Sequence, residues 1–97
     1  MTNYSVDFDL KAVEDLGRLS KTANNQFIKK VKSLRENPHI EANRLHGNLK
    51  HFYKIKLLKE GIRGVYQVDE ENKRICVIIV EKREDDYVYK EAENRIG

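Results

Sequence analysis

The chain has 97 residues, a formal net charge of +3, 39% hydrophobic and 36% charged residues, enough for one modest core and too little for two. Its single cysteine, Cys76, rules out a disulfide framework and, set in an apolar run, reads as a small core residue of a reduced compartment. No apolar run of spanning length and no charged-then-apolar leader opens the chain, so the expectation is one soluble, cytoplasmic domain over residues 1–97.

Tyr4, Val6 and Phe8 alternate with polar residues and predict a short, half-buried first strand. Asp9 can cap a helix with apolar positions Leu10, Val13, Leu16 and Leu19. Ser20 or Thr22 can open a second helix, with Phe27, Ile28, Val31 and Leu34 on one face and Lys29, Lys30, Lys32 and Arg35 outside, ended by Pro38. So short a joint predicts a helical hairpin whose apolar side covers a sheet. After a link anchored by Leu45, the stretch from Phe52 to Val68 predicts two antiparallel strands turning at Lys59-Glu60-Gly61, where Gly61 can take a positive φ. Lys54 and Lys56 then share one face, Tyr53, Ile55 and Leu57 the other, and Arg63 returns opposite the lysines.

The run Ile75 to Val80 is apolar on both sides and suits a central strand, and a short helix from about Tyr87 to Ile96 ends the chain. The fold expected is α+β: a small, mainly antiparallel sheet with the helices on one face and the other partly open.

Charge is unevenly spread. Residues 44–63 hold six Lys/Arg and one Asp/Glu, while residues 64–97 hold six and nine. The cationic segment points to an anion-binding surface. No Cys or His pair has ligand spacing and the five glycines are scattered, so no metal, cofactor or phosphate loop is expected. The cations at strand positions, with Arg83 past the third of these strands and Tyr87 and Tyr89 beyond it, suit phosphate chemistry. Cations stabilise charge on a phosphoryl group, and RNA brings its own nucleophile in the 2′-hydroxyl. Taken alone, the residues leave three readings open: a ribonuclease, a plain basic binding surface, or a structural role.

The segments IEANRLHG (Ile40 to Gly47), YKIKL (Tyr53 to Leu57), GIRGVYQV (Gly61 to Val68) and EKREDDYVYKEA (Glu81 to Ala92), with NRI near the end, closely resemble the RelE family of bacterial toxins. The match spans almost the whole chain in one order. It implies a RelE-like, microbial RNase-like fold and a metal-independent, ribosome-dependent endoribonuclease. Such an enzyme cleaves messenger RNA in the aminoacyl site of the small ribosomal subunit and leaves a 2′,3′-cyclic phosphate and a 5′-hydroxyl. Residue by residue, Lys54 and Lys56 resemble the paired lysines that stabilise the transition state, and Arg63 the arginine that holds the scissile phosphate. Arg83 resembles the arginine that assists the leaving 5′-oxygen, and Tyr89 the general base, with neighbouring Lys54, Lys56 and Arg83 expected to favour its phenolate. Arg44, His46, Lys50 and Lys82 are further candidates for RNA or ribosome contact, as is Tyr66, either stacking on substrate or held in the core.

The resemblance also implies a RelB-like antitoxin and a toxin–antitoxin complex that binds its own operator DNA through the antitoxin. Two positions depart from the family pattern: Gly64 stands where a bulky aliphatic residue is usual, and His46 where a stronger base is. Two alternatives remain at this point, a same-fold toxin directed at a protein such as DNA gyrase, and a non-catalytic basic module that binds RNA or the ribosome.

Overall fold

A computed structural model describes residues 3–47, 51–57, 59–82 and 85–96. Strand β1 (Ser5–Phe8) leads into helices α1 (Leu10–Gly17) and α2 (Lys21–Lys32). A 3-10 turn at Glu41–Asn43 precedes β2 (Phe52–Leu57), β3 (Ile62–Asp69), β4 (Arg74–Glu81) and α3 (Asp85–Ile96). The four strands form one sheet in the order β1-β4-β3-β2. β1 runs parallel to β4, and the other two pairings are antiparallel. The apolar run of β4 is thus a central strand, as its two-sided pattern requires. Among the described residues no helix is long and apolar enough to cross a membrane.

Strand alternation divides the interior into two cores. Tyr53, Ile55, Ile62, Tyr66, Ile75, Val77 and Val80 face the helical hairpin and pack against Ala12, Leu16, Ala23, Phe27 and Val31. Phe52, Val65, Ile78 and Ile79 pack against Val88 and Ala92 of α3. The expectation of all helices on one face is corrected here, because the alanine and valine of α3 cover part of the opposite face.

In β4 the pairing steps from Val77–Tyr66 to Ile79–Val65, so Ile78 is an additional residue, a bulge that lets Ile78 and Ile79 both serve the α3 core.

The hairpin forms for the expected reasons with two differences. The Ser20 hydroxyl accepts from the Ala23 backbone N–H (3.1 Å) and caps α2. That helix ends at Lys32, several residues ahead of Pro38, with the Ser33 hydroxyl donating to the Lys30 carbonyl (2.6 Å). In α1 the inward residues are Ala12, Asp15 and Leu16, whereas Leu10 (76%) and Val13 (50%) are exposed. A carboxylate has displaced the expected apolar pair, for a reason that lies at the edge of β4.

Gly64 explains its own departure from the family pattern. A Cβ there would lie 2.7 Å from the Phe27 ring and 3.0 Å from the Ile79 carbonyl oxygen. The α2 phenyl ring therefore fills the space that a strand side chain would take. Gly64→Ala is expected to lower unfolding stability by about 1–3 kcal/mol through overpacking, read by urea denaturation. An unchanged midpoint would show that the ring and β4 can both give way.

Candidate active site

Antiparallel pairing of β2 with β3 sets Lys56 directly opposite Arg63 and Lys54 opposite Val65. The three cations therefore stand on the face that α3 covers, while Tyr53, Ile55 and Ile62 point to the hairpin core. The turn that fixes this register carries Gly61 at φ 66°, a conformation open to glycine at little cost. Arg63 is also the register partner of Glu81 on β4, so a carboxylate shares this face with the cations.

Tyr89 reaches the same face from α3. Its ring is half-buried against the Phe52, Val65 and Ile79 cluster. Its hydroxyl is buried and has no hydrogen-bond partner among the described residues. Burial pushes the phenol above its usual pKa, with the positive charge of Arg63 acting against the shift. Among the described residues this runs against the expectation that neighbouring cations favour the phenolate, because desolvation outweighs the opposing charge of Arg63. Arg83 and Lys50 lie outside the described residues.

The remaining candidates divide. Arg44 and His46 are exposed on the lead-in to β2, where Arg44 bridges Tyr53 across the sheet edge and pairs with Glu41 (3.3 Å). Lys82 is exposed just past the end of β4 and lines a cleft with Arg18, Ser20, Glu60 and Glu81. Tyr66 is fully buried and stacks on Tyr53 (centroids 5.3 Å, 16° between planes). Its hydroxyl donates to the Pro38 carbonyl (2.7 Å), and burial pushes its pKa far up. The choice left open for Tyr66 thus resolves to the core, and its candidacy for RNA contact is withdrawn. Tyr66→Phe is expected to cost about 0.5–1.5 kcal/mol of stability by removing one of two hydrogen bonds to the Pro38 carbonyl, which keeps the Ile40 N–H (3.0 Å), measured by urea unfolding. Lost cleavage with unchanged stability would put it back in the site.

Around this stack a polar network fixes the approach to β2. Glu70 accepts from Tyr4 (2.7 Å), from Lys73 and from His39 Nε2 (2.8 Å), and His39 Nδ1 lies 3.0 Å from the Tyr53 hydroxyl. Hydrogen bonds from Lys73, His39 and Tyr4 hold the Glu70 carboxyl down at about 2, so it is ionised and acts as acceptor.

Comparison with known proteins bears on what this arrangement is. The family described as ParE toxin of type II toxin–antitoxin system, parDE, matches residues 6–87. The mRNA interferase toxin RelE of Escherichia coli K12 is 45% identical over 93 residues, covering 96% of this chain and 97% of its own. The chain belongs to the RelE/ParE toxin family.

The mRNA interferase RelE of Shigella flexneri matches equally well. Among solved structures, a free mutant form of E. coli RelE superposes with a TM-score of 0.87 at 43% identity, with both chains fully covered. The RelE chain of the intact E. coli RelBE toxin–antitoxin complex gives 0.77 at 43% identity over 84% of this chain and 98% of that one. The RelE-like α+β fold expected from the sequence is therefore the fold observed.

One functional feature of this RelE-like chain has no signature in the residue pattern. Beyond Val77, β4 continues without a β1 partner. There the Val80 N–H donates to Asp15 Oδ2 (3.0 Å), and Arg95 donates to the Ile78 carbonyl (2.7 Å) and to both Asp15 oxygens (2.8 and 3.3 Å). This buried pair closes the sheet edge, ties the last turn of α3 to α1, and thereby sets the helix that carries Tyr89. An acid at one position and a base eighty residues later offer no spacing rule that would pair them.

Proposed function

We propose that this chain is the toxin of a type II toxin–antitoxin pair and a ribosome-dependent endoribonuclease that cleaves messenger RNA in the aminoacyl site. The observation that carries the reading is the near full-length identity to proteins named mRNA interferase RelE, joined to a face on which Lys54, Lys56, Arg63 and Tyr89 converge. In this reading Arg63 and the two lysines bind the phosphate and offset the charge that builds on its non-bridging oxygens. Tyr89 takes the proton of the 2′-hydroxyl, O2′ forms a bond to phosphorus, and the bond from phosphorus to O5′ breaks. Arg83, carried over from the family resemblance, assists proton delivery to the leaving 5′-oxygen. The products are a 2′,3′-cyclic phosphate and a 5′-hydroxyl, and no metal is required, because RNA supplies the nucleophile.

The partners follow from the same reading: a RelB-like antitoxin, as in the solved complex of E. coli RelE with its antitoxin, and operator DNA contacted through that antitoxin. The ribosomal target places the protein in the cytoplasm. Induction in growing cells followed by mapping of message 5′ ends tests the proposal. Codon-phased cuts confined to translated regions are expected, and arrested growth with intact messages would overturn it in favour of a protein target such as DNA gyrase.

A further inference from the structure

Lys56, Arg63 and Glu81 make one row across three strands. Lys56 is the register partner of Arg63, and Arg63 is the register partner of Glu81. All three are half-buried. The neighbouring row, Lys54, Val65 and Ile79, runs over the same strands and ends on an aliphatic residue instead. Glu81 closes a strand that is apolar from Ile75 to Val80. A carboxylate thus stands on the strand next to the arginine assigned to the scissile phosphate, on a face where an acid works against RNA. In the reaction assigned to this face no step uses it.

We propose that Glu81 is a positioning residue for Arg63, holding its guanidinium by one edge so that the other is presented to the phosphate, and that it weakens RNA binding while raising turnover. The inference rests on the endoribonuclease reading. Residues directly opposite on adjacent strands have Cβ atoms about 5 Å apart, within reach of a glutamate and an arginine. A guanidinium carries its donors in a rigid planar fork, so a carboxylate on one edge fixes the plane and leaves the donors of the other edge for phosphate oxygens. A long side chain that is not held must give up rotamer freedom as the phosphate arrives, and a productive geometry depends on having settled that beforehand. The same carboxylate repels a polyanion. An arginine that meets RNA already neutralised releases fewer counterions than a bare one, so it adds less to salt-dependent affinity. Binding and turnover are therefore expected to move in opposite directions when the acid is removed.

The test uses the full-length protein and ribosomes programmed with a translated message, with single-turnover cleavage followed against ribosome concentration and against salt. Glu81→Gln keeps the shape of the side chain and an oxygen that can accept from the guanidinium, but removes the charge. Its half-saturating ribosome concentration is expected to fall at least about threefold, with a logarithmic salt slope steeper by up to about 0.7 and a saturated rate within about threefold of wild type. Glu81→Ala removes the charge and the contact together. It is expected to bind as tightly as the Gln variant, with a saturated rate at least about tenfold lower. A half-saturating concentration that rises for Glu81→Gln, or a salt slope left at the wild-type value, would overturn the proposal, and so would a wild-type saturated rate for Glu81→Ala. Each of these leaves the ribonuclease intact. Should the Ala variant unfold, the salt slope of the Gln variant alone decides. Wild-type protein that cleaves no message would overturn the ribonuclease reading and the role of Glu81 with it.

Discussion

Replacing Arg95 by Ala is expected to lower the free energy of unfolding by about 3–5 kcal/mol. The Asp15 side chain is only 1% exposed and that of Arg95 9%, so removing the guanidinium strands a carboxylate that water cannot reach. It also unpairs the Ile78 carbonyl. Arg18 touches the same carboxylate (3.0 Å) but from a side chain that is 68% exposed, so it cannot take over the inner hydrogen bonds. Asp15→Asn is expected to cost less, because an amide oxygen can still accept from the Val80 N–H. Urea denaturation of both single variants and of the double variant measures the coupling. A loss below about 1 kcal/mol for Arg95→Ala would mean that solvent enters the edge and relieves the charge.

Tyr89→Phe is expected to reduce cleavage of ribosome-bound message by about 10² to 10⁴-fold, the range general-base catalysis supplies. Burial holds this phenol above its usual pKa. A base that must first lose its proton is therefore scarce at neutral pH, and its population grows tenfold with each pH unit. The single-turnover rate of the wild-type enzyme should accordingly climb about tenfold per unit between pH 6 and 8.5 without a plateau, while the Phe variant stays flat. Native cleavage by the Phe variant would remove Tyr89 from the chemistry, and a plateau near pH 7 would assign the proton to another group.

How much of this could be read beforehand follows from where the pattern carries contrast. The alternation of Lys54, Ile55 and Lys56 announces both the strand and the face each residue takes, and Gly61 marks the turn that brings Arg63 opposite Lys56. Asp15 gives no such signal: one acid among the polar residues of a short helix looks solvated until a strand edge is found beside it. Tyr66 is ambiguous in the sequence because an alternating strand says which face a tyrosine takes but not how deeply that face is covered, and here Tyr53 stacks on its ring and the Pro38 carbonyl takes its hydroxyl. The pKa of Tyr89 depends on that kind of depth as well, so counting nearby cations gave its direction wrongly.

The isoleucine at position 78 is invisible for a related reason, since a strand apolar at every position has no alternation for an extra residue to interrupt. Its effect is nonetheless one of aim. Ahead of Ile78 the even-numbered residue Cys76 faces α3, and after it the odd-numbered Ile79 does. The step changes which face each later residue meets, so Glu81 emerges beside Arg63. Were Ile78 kept but paired in regular alternation, without the step, the carboxylate of Glu81 would turn toward the helical hairpin. A single supernumerary side chain thus acts as the phase setting between the barren, structural half of the chain and the half that would meet RNA.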